Sequence, residues 1–284
     1  MQKIIQLGKK SLKHWREILF VYLVQLCVGL VIGFTMFSSI KSTMNGSMVL
    51  DQLATGFDRT VVTDILNSDP GFPDTTRGIS MVLIAIYLFA SVLLHGGWLA
   101  NIRKQNFNLY SFLTDGAKHF FPFFGVALIS IVLVLGFGGI IGITFSNIVG
   151  DPLATFSSEK PYVIWIIALI CVFILWSIVI WSWSVASRLH CISGSSFFQS
   201  MIKGLKTLGS NFFKFIAVGL LLVGIHVLLS FIYYWMMGDR GASSWLVVLF
   251  AVVIKQSFAL IRVALRGFAY NLVDDITFDH TVTK

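Results

Sequence analysis

Charge is scarce in this chain. Only 12% of its 284 residues are Asp, Glu, Lys or Arg, about half the share that a water-soluble globule carries. A soluble fold is therefore excluded. Proline is rare, with 5 residues, and no low-complexity tract occurs, which excludes fibrous and disordered classes. The three cysteines offer no disulfide framework: Cys27 and Cys171 fall inside apolar runs and Cys191 in a basic flank. No phosphate-binding glycine loop, G-x-S-x-G elbow or H-E-x-x-H pair is present. What the chain has instead is 56% hydrophobic residues and a mean hydropathy of +0.85. These values describe an integral membrane protein.

A bilayer core about 30 Å thick requires roughly 20 apolar residues in helical form. Six runs meet that length, at residues 18–37, 79–100, 123–145, 162–187, 215–237 and 245–265. None alternates in polarity as a barrel strand does, so helices are the expected form. The expected fold class is all-α: a single polytopic transmembrane domain of six helices over residues 1–284, with short cytoplasmic amphipathic helices in the interface.

Basic residues alternate between the flanks of these runs. The N-terminal flank holds Lys3, Lys9, Lys10, Lys13 and Arg16, the second loop Arg103, Lys104 and Lys118, and the fourth Arg188, Lys203, Lys206 and Lys214. Because positive flanks resist export, both termini are expected in the cytoplasm, in a bacterial inner membrane. The net charge of +8 fits attraction to anionic lipid, about 1 kcal/mol per basic residue near the surface, better than nucleic-acid binding. The first run lacks an A-x-A exit and is read as a retained helix. The sizeable exported loop spans 38–78 and is expected to fold into short amphipathic helices over 48–66.

Each cytoplasmic segment before an outgoing helix combines small, basic and aromatic residues: Gly8-Lys9-Lys10-Ser11-Leu12, Gly116-Ala117-Lys118, and Gly204-Leu205-Lys206-Thr207-Leu208, each leading into aromatics. The middle copy is about one helical turn shorter than the last. Three parallel hairpins are suggested, each opened by a helix lying in the interface. This pattern resembles bacterial six-helix membrane proteins that include the membrane domain attached to some glycerophosphodiester phosphodiesterases. The resemblance covers most of the chain and implies the fold; the phosphodiesterase domain is absent, so it implies no activity.

All thirteen acids fall outside the six runs, which argues against a proton-coupled carboxylate and against hydrolase acid–base chemistry. Lys255 is the cation near the middle of a run, and the steps of seven to Arg262 and four more to Arg266 put the three on one helix face. Gln25, His95, Ser130, Ser182, Ser184 and Gln256 fall at depths of about 5–15 Å from the cytoplasmic boundary. Together these nine residues are the candidate ligand-binding set: a polar pocket open to the cytoplasm, floored by Lys255, for an anionic head group or carboxylate. Interhelical hydrogen bonding by the same groups is the competing reading, at about 0.6 kcal/mol per contact. His95 and His226 are offset by about 9 Å in depth, too far to share a haem iron. His190 with Cys191 supplies two metal-type ligands where a closed zinc site needs four. No cofactor, metal or catalytic residue is expected.

These features point to a non-enzymatic membrane protein that binds lipid or an anionic small molecule, or serves as an accessory subunit of a membrane complex. The expected partners are membrane lipids, anionic ones first, and other membrane proteins. A small uniporter or lipid transporter using the polar layer is the first alternative, an intramembrane transferase using His95 and Lys255 the second.

Overall fold

The structure is a computed structural model that describes residues 14–43, 72–102, 107–150, 159–237 and 245–278. Within them the chain forms eight helices and no strand: α1 (Trp15–Thr43), α2 (Phe72–Asn101), α3 (Leu109–Lys118), α4 (Phe120–Val149), α5 (Glu159–Ile192), α6 (Phe197–Ser210), α7 (Phe212–Met237) and α8 (Trp245–Phe278). Six of them, all but α3 and α6, are long and apolar enough to cross a membrane. The protein is an all-α, multi-pass membrane protein. The amphipathic helices expected within the loop at 48–66 lie outside the described residues, as does the first basic segment at 8–12.

Every one of the six helices contains the apolar run expected for it, and most run further. α8 is the extreme case: its 34 residues reach about 51 Å, well beyond the roughly 30 Å of hydrocarbon. The run ending at Leu265 continues as helix to Phe278 because Ala269, Tyr270, Leu272 and Val273 are all buried; packing rather than apolarity sustains this end. The acids stay outside the six apolar runs, but the longer helices reach two that are buried. Asp274 belongs to α8 and Glu17 to α1, and each is 1% exposed. Glu17 Oε1 meets His14 Nδ1 at 2.8 Å.

Two compact units divide the described chain. One comprises Val92–Gly224 with the end of α8 from Phe268; the other comprises α1, the earlier part of α2 to Ser91, and residues 225–267. In the first unit the fully covered side chains include Trp98, Phe112, Phe123, Leu189, Phe215 and Val273. The opposite ends of its long helices leave Leu135, Ile143, Ile148 and Ile164 exposed, apolar on all sides as lipid-facing helices are.

Close helix contact in this unit comes from small residues. A Cβ on Gly97 would lie 2.5 Å from the Phe112 carbonyl oxygen, and one on Gly116 2.5 Å from that of Leu93, so the backbones of α2 and α3 touch. Gly204 on α6 rests likewise against Ser187 on α5. The pair Gly29 and Gly33, spaced for helix packing, meets nothing within 4 Å, while Gly138 meets the Phe173 ring. α4 runs unbroken through Gly136-Phe137-Gly138-Gly139.

The two described basic segments are short helices. On α3, Phe112 and Gly116 are buried at a spacing of four; on α6, Ser200, Gly204 and Leu208 repeat that spacing. The outward face of α6 carries Phe198, Ile202 and Leu205 beside Lys203 and Lys206, all exposed. Each of the two ends in a one-residue turn, His119 or Asn211, whose carbonyl accepts from the N–H of a wholly buried phenylalanine, Phe123 or Phe215, at 3.1 Å. His14 opens α1 in the same way, accepting from Ile18 N–H at 3.1 Å. Three helix starts therefore share one local design: a turn residue, two residues that are aromatic or basic, and a buried apolar residue four positions on.

Candidate functional site

The nine expected site residues divide between the two units. In the second unit Lys255 and Arg262 are exposed and Arg266 is half-buried on α8. The Lys255 side chain is exposed, where enclosure as the floor of a pocket was expected. Its neighbour Gln256 is engaged: Tyr22 on α1 donates its hydroxyl to Gln256 Oε1 at 2.8 Å. Gln25, half-buried, follows Tyr22 by one turn and so shares its face. Lys255 and Gln256 are neighbours in sequence and project about 100° apart around α8, the amide toward α1 and the cation exposed. Among the described residues, none of Lys255, Arg262 and Arg266 forms an ion pair or hydrogen bond. Three positive charges on one helix thus have no acid among the described residues to neutralise them.

In the first unit Ser130 donates to the Val126 carbonyl of its own helix at 2.7 Å, which uses its one donor within the helix. His95 stands edge-on to Tyr270, ring centres 5.9 Å apart, and Trp98 meets the same tyrosine at 5.7 Å. Ser182 and Ser184 are buried on α5, and the Ser182 hydroxyl has no hydrogen-bond partner. Buried polar residues absent from the expected set gather in this unit: Asn101, Ser187, Ser200, Asn271 and Asp274. His190 bonds Thr207 at 2.9 Å and lies with its ring centre 5.4 Å from that of Phe278, tilted by 60°. Trp183 donates to the Met201 carbonyl at 3.2 Å, joining α5 to α6.

Asn101, Asn271 and Asp274 were missed because the apolar-run criterion stops at Ala100 and Leu265. The signal that finds them is helical periodicity continuing past those ends, in Ala269, Leu272, Val273 and Ile276 on α8. Outside the spans, burial and the charge of Lys118 hold His119 below its ordinary pKa of 6.5, against a smaller upward pull from Asp115.

Among the described residues no three His, Cys, Asp or Glu side chains come together as a metal site would require. The class defined by fold and site is a helical membrane protein with a buried polar end and a basic stripe that is unpaired among the described residues. Comparison with family models, with curated proteins and with solved structures finds no match for the chain.

Proposed function

We propose that this is a non-enzymatic protein of the bacterial inner membrane, of the broad six-helix class, that binds anionic lipid along the stripe Lys255, Arg262 and Arg266. The carrying observation is that the stripe has no ion pair among the described residues. A cation within an apolar helix is costly unless an anion or the interface takes it up. With both termini in the cytoplasm, the stripe climbs from the inner leaflet, where anionic head groups concentrate. Gln25 and Gln256 lie beside it on α1 and α8 as hydrogen-bonding groups, while Arg262 and Arg266 nearer the helix end meet the head-group layer. A soluble anionic ligand or an acidic membrane partner answers the same charge demand.

Reconstitution into nanodiscs tests the reading. Wild type in discs containing phosphatidylglycerol should unfold at a higher temperature than in phosphatidylcholine discs, with the difference shrinking as salt rises. The triple variant Lys255→Leu, Arg262→Gln, Arg266→Gln should lose most of that difference. Equal midpoints for wild type in the two lipids would remove the proposal.

A further inference from the structure

We infer that Arg188 is the anchor of a second anion site, one that takes a phosphate group and is built into the first unit independently of the Lys255 stripe. Arg188 lies near the end of α5 and is half-buried, and its Nε is fully covered without a hydrogen-bond partner. Its guanidinium carbon stands 5.7 Å from the centre of the Phe123 ring. No carboxylate of this chain pairs with it among the described residues. The guanidinium keeps its charge, since it does not give up its proton in proteins, and its covered Nε has no counter-ion among the described residues to offset the lost hydration.

The local geometry indicates which anion suits it. Helical side chains lean toward the helix N-terminus, so the guanidinium reaches back over the turn that carries Ser184, four residues earlier on the same face. Ser184 is buried. A planar fork of N–H donors with a hydroxyl above it matches an oxyanion that accepts on several sides, as a phosphate group does, and two parallel charge-assisted bonds favour that group over a halide. The phosphate group has two possible sources, a phospholipid head group and a soluble phosphate.

The test uses the full-length chain in a phosphate-free maltoside detergent. One arm follows the unfolding midpoint against inorganic phosphate, with chloride at matched ionic strength as the blank. The other compares nanodiscs of phosphatidylglycerol with nanodiscs of a neutral, phosphorus-free glycolipid. Wild type should be stabilised saturably in at least one arm: the first alone identifies soluble phosphate, the second alone the head group, and both the phosphate group itself. Arg188→Gln should weaken the apparent affinity by about tenfold or more, as expected for loss of a charge-assisted pair. Lys203→Gln, an exposed cation on α6, should respond as wild type does. If Arg188→Gln fails to fold, Arg188→Lys keeps the charge and removes the fork, and its response should still fall. Absence of a saturable response by wild type in both arms would overturn the inference, as would a response in the folded Arg188 variant equal to that of wild type. Because Lys255, Arg262 and Arg266 are intact in these variants, the outcome is separate from that of the lipid stripe.

Discussion

The contact between α2 and α3 makes a sharp prediction because two opposing effects meet at Gly116. Replacing it by alanine gains up to about 1 kcal/mol of helix propensity. The new Cβ, however, would stand 2.5 Å from the Leu93 carbonyl oxygen and 3.2 Å from the Gly97 nitrogen. Both are backbone atoms of α2, so no side chain can swing aside, and the helices must part by about 1 Å to restore ordinary contact. Overpacking of this kind costs about 1–3 kcal/mol, and the parting also loosens wholly buried Phe112. The upper half of that range applies to a backbone-on-backbone clash, leaving Gly116→Ala less stable by about 1–2 kcal/mol, or about 2–6 °C in unfolding midpoint. Gly209 on α6 meets nothing within 4 Å, and Gly209→Ala should raise the midpoint through propensity alone. Thermal unfolding in detergent by intrinsic fluorescence reads both. A Gly116→Ala protein as stable as wild type would refute the close approach of the two helices.

Other consequences follow from local features. Asn108 caps α3 by accepting from the Tyr110 N–H at 3.0 Å, so Asn108→Ala should cost about 1 kcal/mol, visible as a lower unfolding midpoint and absent in Asn108→Ser. For His119 the lowered pKa means that the unfolded chain takes up its proton first as pH falls. Stability should therefore be unaffected by this group above pH 6.5, decline as pH drops from there through the folded-state pKa, and then level off. His119→Gln should flatten that part of the midpoint-versus-pH curve; an unchanged curve would count against burial as the cause. Single cysteines placed at Lys203 and at Trp245, in a chain with Cys27, Cys171 and Cys191 changed to serine, should react with a membrane-impermeant maleimide from opposite sides, Lys203 from the cytoplasmic one. Labelling of both from one side would contradict six crossings.

The membrane-crossing class was legible in the sequence because it rests on a property that burial does not alter: runs of twenty apolar residues have no other stable home. The short helices α3 and α6 were legible too, through a basic and aromatic pattern that leaves small residues at a spacing of four on the covered side. The ends of the long helices were not. Tyr270, Asn271 and Asp274 lower the local hydropathy, yet they are held in helix by tertiary packing that no window over the chain can register. Arg188 suffered the same fate, counted as a loop cation when α5 continues past it to Ile192. Lys255 shows the complementary limit. Its spacing to Arg262 and Arg266 placed the three on one face correctly, but which way that face turns depends on the partner of Gln256 and on the burial of Ile254, both settled by contacts far apart in the chain.

The claim on which the functional account rests is that the stripe on α8 draws an anion from outside the chain. Native mass spectrometry of the protein, released from membranes containing phosphatidylglycerol and phosphatidylethanolamine and then progressively delipidated, tests it most directly. The account predicts that wild type retains phosphatidylglycerol after phosphatidylethanolamine has been lost, and that the Lys255→Leu, Arg262→Gln, Arg266→Gln variant retains neither preferentially. Equal retention of phosphatidylglycerol by wild type and the folded variant would contradict it.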